Sequence, residues 1–181
     1  GVILLDGGMG QELIRRSPAP AHHHWSLQVM MKEPQLVADV HRDFCEAGAG
    51  VACLNTYAIT HTRLARGTDL PPIGQLLNDA RDLAQQGVEA SGRPDTALVT
   101  SLPPLVASYR PDTQLPLEQA IQEYRELIEL QAANVDGFLA ETIPSIAEAT
   151  AVLTAADQAG VRIMLGLTVA DDNGQLLRSG E

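Results

Sequence analysis

Five short, largely apolar runs, at residues 2–5, 51–54, 97–100, 137–140 and 161–167, constrain this chain more than any other feature. Unbroken apolar character over so few residues, as at 2–5 and 51–54, is what a buried strand requires. Each run ends abruptly in polar residues, and helix-compatible segments separate the runs. Residues 34–47 carry Leu36, Val37, Val40 and Phe44 at helical spacing, and residues 74–90 carry a stripe through Leu76, Leu77, Ala80, Leu83, Ala84 and Val88. Residues 116–133 repeat the period, with Pro116 suited to a first turn. Ser145 and Glu148 have capping-box spacing and open a helix that Gly160 ends. The junctions Ala47-Gly48-Ala49-Gly50-Val51, Val135-Asp136-Gly137 and Ala159-Gly160-Val161 are variants of one helix-stop, strand-start device. Strands alternating with helices at this rhythm predict an α/β protein with a parallel sheet.

In such a sheet all strands end on the same edge. Asp6, Asn55, Thr56, Ser101, Glu141 and Thr168, which follow or close the five runs, are therefore expected to crowd one rim. Polar residues at strand ends also arise simply because loops are exposed. Asp6 and Glu141 ask for more, since each is attached directly to an apolar strand, where an unpaired charge is costly. A ligand ammonium would stabilise both. After Asp6 come Gly7, Gly8 and Gly10, which let the backbone turn and leave N–H groups open to a carboxylate or phosphate, ahead of a short helix at residues 12–16.

Other features bound the function. The chain has 181 residues, enough for one domain with a sizeable core, and no apolar run of membrane-spanning length. A net charge of −11 disfavours nucleic acid or an anionic membrane as partner and leaves small molecules or other proteins. Cys45 and Cys53 show no disulfide-framework spacing, so a reducing cytoplasm is expected. His22, His23 and His24 are adjacent and cannot converge on one ion, so they read as natural loop, with Trp25 as an apolar anchor in it. His41 and Cys45 share a helix face, but without a third ligand His41 reads as a histidine at the core's edge. The loop after residue 101, through Ser108-Tyr109-Arg110, is long for an α/β connection and points to function.

The ordered motifs Asp6-Gly7-Gly8-Met9-Gly10-x-Glu12-Leu13, Trp25-Ser26, His41-x-x-Phe44-x-x-Ala47-Gly48-Ala49, Asn55-Thr56-Tyr57 and Glu141-Thr142-Ile143-Pro144 together resemble the homocysteine S-methyltransferase family. The resemblance implies a (β/α)8 TIM barrel, of which residues 1–181 would form a single homocysteine-binding domain holding about the first five βα units, with the C-terminal part missing. It implies methyl transfer from an activated donor (S-methylmethionine, S-adenosylmethionine, betaine or methylfolate) to the zinc-bound thiolate of homocysteine, giving methionine. Asp6, the backbone at Gly7 and Gly8, Asn55, Thr56 and Glu141 would hold the amino-acid portion of homocysteine.

Zinc in this family is held by three cysteines, in a Gly-x-Asn-Cys segment near the sixth strand and a Gly-Gly-Cys-Cys segment near the eighth. Neither segment occurs here, so no metal ligand is assigned and zinc belongs to the full-length family member. Five of eight units would leave sheet edges open, and such a chain is expected to be inactive alone and unstable, rearranged or homo-oligomeric. A non-catalytic amino-acid or thiol-binding module, or an inactive fragment, is the alternative reading. An aldolase-like lyase would want a strand-end lysine, and the one lysine, Lys32, precedes a helix.

Overall fold

The computed structural model describes residues 1–17 and 25–181. Strands β1 (Val51–Cys53), β2 (Ala97–Leu102), β3 (Gly137–Ile143) and β4 (Ile163–Leu167) form one sheet in the order β1-β2-β3-β4, with every pairing parallel. Parallel neighbours cannot be joined by a tight turn. Helix α5 (Ile73–Ala90) makes the crossover from β1 to β2, α6 (Leu117–Glu129) that from β2 to β3, and α7 (Ile146–Ala159) that from β3 to β4. Ahead of β1 lie α1 (Met9–Arg16), α2 (Trp25–Lys32) and α3 (Pro34–Glu46), and one turn, α4 (His61–Leu64), precedes α5.

The core forms where the helix stripes meet. Val37 and Val40 of α3, Leu76, Leu77 and Ala80 of α5, Leu127 and Ile128 of α6, and Val152 and Ala155 of α7 are all buried. Helices α3 and α5 approach so closely that a Cβ on Gly87 would lie 2.5 Å from the Ala38 carbonyl oxygen and 2.6 Å from the His41 Cβ. His41 sits in that contact with 0% exposure, in the core rather than at its edge. At the start of α7, Ser145 Oγ accepts from the Glu148 N–H at 3.1 Å, as the capping spacing predicts. The Glu148 carboxylate turns elsewhere, accepting from the Leu105 N–H at 3.1 Å and lying 2.6 Å from the Tyr124 hydroxyl.

Two further expectations are corrected. The run at residues 2–5 is no doubly buried strand: Leu5 makes one parallel bridge to Val51, and exposure rises from 43% at Leu5 to 100% at Val2. Its backbone is tied to the sheet by Gly50 N–H to Leu4 O at 2.9 Å and Asp6 N–H to Val51 O at 3.1 Å. The described residues thus hold four strands plus this bridged segment, which has β1 on one side and no strand on the other. Strand β4 lies at the other edge of the sheet and leaves Met164 and Leu167 half-exposed. Finally, Trp25 begins helix α2 rather than lying in a loop, while the histidines at 22–24 fall outside the described residues.

Candidate active site at the strand ends

Strand alternation sets which side chains meet. Ser101 pairs in register with Leu139, so Glu141, two residues further along β3, shares the face of Leu139 and lies diagonally beyond Ser101. The Ser101 hydroxyl donates to Glu141 Oε1. On β1, Cys53 points to the same side, and its N–H donates to Asp6 Oδ2 at 2.7 Å. A cleft of about 530 Å³ opens there, lined by Asp6, Gly7, Gly8, Cys53, Asn55, Ser101 and Glu141 together with Gly10, Gln11, Ser26, Tyr57, Ser108, Tyr109 and Thr142.

Five of the six residues expected to bind a ligand line this cleft: Asp6, Gly7, Gly8, Asn55 and Glu141. Gly7 is required by close packing, since a Cβ there would lie 2.6 Å from Cε1 of Phe44, a residue of another motif. Gly8 precedes α1, whose first N–H groups have no partner within the helix and open toward the cleft. Helix α1 is held to α3 by an ion pair of 2.7 Å between Arg16 and Asp43. Asn55 is buried and donates from Nδ2 to the Ser26 carbonyl at 3.1 Å, tying α2 to the end of β1.

Thr56 is the sixth residue, and it does not line the cleft. Its hydroxyl donates to the Ser101 carbonyl at 2.8 Å and accepts from the Ser101 N–H at 3.1 Å, so it fixes the strand carrying Ser101. Thr168 also lies away from the cleft. Its N–H donates to Ile143 O and its carbonyl accepts from the Arg178 N–H, both at 2.8 Å.

Two groups in the cleft are shifted by their surroundings. Burial raises the Asp6 carboxyl to about 6, and the neighbouring Glu141 adds to the rise, while the Cys53 N–H opposes it. Burial, followed by the charges of Asp6 and Glu141, pushes the Cys53 thiol well above its ordinary range. This end of the cleft therefore disfavours more negative charge and favours a cation.

Sequence reasoning missed how Glu141 is aimed. Between Ala140 and Ile143 the register with β4 slips by one residue, a bulge that places Glu141 and Thr142 at the cleft. Thr142 has φ 63°, an uncommon conformation for a β-branched residue. Tyr109, the other cleft residue with positive φ, has φ 61°. Strain of this kind clusters at functional sites. On the Tyr57 side, the hydroxyls of Tyr57 and Ser108 are 2.7 Å apart, and the Arg63 guanidinium lies 5.2 Å from the Tyr57 ring centre while donating to the Pro104 carbonyl at 2.7 Å.

The described residues do not fit the zinc site that the resemblance implies. No group of three or more His, Cys, Asp or Glu among them could hold a metal ion. Cys53 lines the cleft, whereas Cys45 is buried in a separate apolar cluster with Ala84 and Val88.

Fold and site together define part of a parallel α/β barrel with an acidic cleft at its C-terminal rim. Residues 3–181 match the family model for homocysteine S-methyltransferase, and the chain belongs to that family. The crystal structure of the metallated form of the homocysteine methyltransferase MmuM from Escherichia coli superposes with a TM-score of 0.83 at 27% identity, covering 99% of this chain and 66% of that one. The oxidized form of the same protein gives 0.84 at 27% identity and the same coverage. The chain therefore has the fold of the corresponding part of a TIM-barrel methyltransferase. It is 32% identical over 164 residues to homocysteine S-methyltransferase of E. coli K12, covering 83% of this chain and 53% of that protein. To homocysteine S-methyltransferase YbgG of Bacillus subtilis it is 28% identical over 168 residues, covering 84% of this chain and 53% of that protein. The chain thus spans about half the length of these curated relatives.

Proposed function

We propose that this chain provides the homocysteine-binding half of a methyltransferase that moves a methyl group from an activated donor to the sulfur of homocysteine. The observation that carries the reading is the convergence of Asp6 and Glu141 on one cleft beside the glycine turn. The ammonium of homocysteine pairs with the two acids, drawing Asp6 into its ionised form. Its carboxylate meets the N–H groups at Gly8 and the first turn of α1. Asn55 shapes the cleft, and Thr56 acts through Ser101, which orients Glu141. In the transfer, the thiol gives up its proton to solvent, sulfur forms a bond to the methyl carbon, and the donor's onium centre keeps the electron pair of the broken bond and becomes neutral; a methylfolate must first take a proton on its methyl-bearing nitrogen to leave in the same way.

The donor is an onium compound or a methylfolate. Free Cys45 and Cys53 support a reducing, cytoplasmic setting, and the charge of −11 supports small-molecule rather than nucleic-acid partners. None of the described helices is long and apolar enough to cross a membrane. A second reading, an amino-acid-binding module without catalysis, is favoured by the absence of a metal-ligand group among the described residues.

The test is calorimetry of homocysteine on the purified chain, with bound-metal analysis and assay of methyl transfer from S-methylmethionine, betaine and methylfolate. Binding with transfer supports the methyltransferase. Binding with neither metal nor transfer supports the module, and no binding overturns both.

A further inference from the structure

Tyr109 combines three properties. It lines the cleft, it is half-exposed, and its backbone is held at φ 61°. A residue with a side chain stays in that conformation only where its surroundings impose it. One source of that constraint comes from far along the chain: the Arg178 guanidinium lies 5.1 Å from the centre of the Tyr109 ring. Arg178 is itself held. Its Nη1 and Nη2 donate to the two carboxylate oxygens of Asp171 at 2.7 and 2.8 Å. Its N–H donates to Thr168 O at 2.8 Å, and the next residue, Ser179, donates to Pro144 O at 3.0 Å. The turn bearing Arg178 is thus pinned to the ends of β4 and β3, and Arg178 carries that rigidity to a ring on the cleft wall.

We propose that Arg178 is a positioning residue for the cleft, fixing the ring of Tyr109 as part of the wall that meets the second substrate. This deepens the methyltransferase reading and rests on it. With the homocysteine ammonium assigned to Asp6 and Glu141, the wall formed by Tyr57, Ser108 and Tyr109 is left for the methyl donor. The hydrogen bond between Tyr57 and Ser108 ties that wall together up to the residue before Tyr109. A guanidinium suits the task because it stacks flat on an aromatic ring while its edge grips a carboxylate, and an ammonium cannot do both.

The chain has three tyrosines, so ring-carbon NMR of tyrosine-labelled protein follows Tyr109 directly, with Tyr109→Phe identifying its signal. Arg178→Ala is expected to move the Tyr109 signal and leave that of Tyr124, buried among the helices, in place. The same variant should weaken binding of S-methylmethionine or betaine to the homocysteine-loaded chain about fivefold in calorimetry, with homocysteine affinity changed by less than about twofold. Arg178→Lys should recover only part of the loss, and Asp171→Asn should move the Tyr109 signal less than Arg178→Ala does. An unmoved Tyr109 signal overturns the proposal, as does a moved signal with unchanged donor affinity. Homocysteine affinity falling in step with donor affinity also overturns it, since that is the mark of general loosening. Wild-type chain that binds no homocysteine strikes instead at the proposed function, and the Tyr109 signal in Arg178→Ala then decides whether Arg178 positions the ring.

Discussion

Two titratable side chains desolvated by their surroundings, His41 buried in the contact between α3 and α5 and Asp6 half-buried at the cleft, obey the same physics and serve different ends. Burial penalises the charged form of each, so His41 falls to about 4 while Asp6 rises to about 6. His41 faces packed helices, and neither ring nitrogen has a hydrogen-bond partner among the described residues. Its discomfort can be relieved only by unfolding. Asp6 faces a cleft, where a bound cation relieves it. A penalty locked inside the core affects stability alone, whereas a penalty beside a cleft becomes a preference for a ligand.

The largest expected effect lies on the His41 side. Because its folded value lies below the ordinary 6.5, the unfolded chain takes up the proton first as pH falls. The stability that neutral His41 preserves is complete above 6.5 and is lost as pH falls toward 4, by about 3 kcal/mol. Urea denaturation at pH 7 and pH 4.5 measures the loss, and His41→Leu should remove that part of the pH dependence. Asp6 acts with the opposite sign: its raised value favours the folded state below 3.8, and this advantage disappears as pH rises through about 6. Comparing His41→Leu and Asp6→Asn with wild type separates the contributions.

Next in size is Gly87→Ala. Its Cβ would meet the backbone oxygen of Ala38 at 2.5 Å, which no side-chain rotation can relieve. A loss of about 2–3 kcal/mol is expected in thermal or urea unfolding. On the cleft side, Glu141→Gln keeps the shape and removes the charge. Homocysteine binding should weaken about thirtyfold, near 2 kcal/mol, with unfolding little changed. Equal losses of binding and stability would erase the distinction drawn between the two regions. The smallest effect is the pH dependence of binding: homocysteine should bind more tightly as pH rises through about 6, where Asp6 ionises, and Asp6→Asn should flatten that profile.

Much of this was legible in the sequence because local patterns and global fold agree. The helical stripes of α3, α5 and α6 are the buried faces, and the rule that parallel strands end on one edge brings Asp6, Asn55, Ser101 and Glu141 to one cleft from four distant positions. What stayed hidden depends on tertiary context. The composition of residues 2–5 asks for burial on both faces, but their neighbours decide whether they receive it. Helix α2 follows a proline-rich stretch that reads as loop throughout. The bulge at Glu141 and Thr142 leaves no residue signature, and the stacking of Arg178 on Tyr109 joins positions far apart in the chain. Thr56 and Asn55 are adjacent in one motif, yet the strand's end turns Asn55 to the cleft and Thr56 into the backbone of Ser101.

The most direct test of the central claim compares homocysteine with 4-mercaptobutanoate, the same molecule without its ammonium group, by calorimetry on the wild-type chain at pH 7.5. If Asp6 and Glu141 form an ammonium site, homocysteine binds and the analogue is weaker by about thirtyfold or more. Equal affinity for the two would contradict the account, because the paired acids would then play no part in recognition.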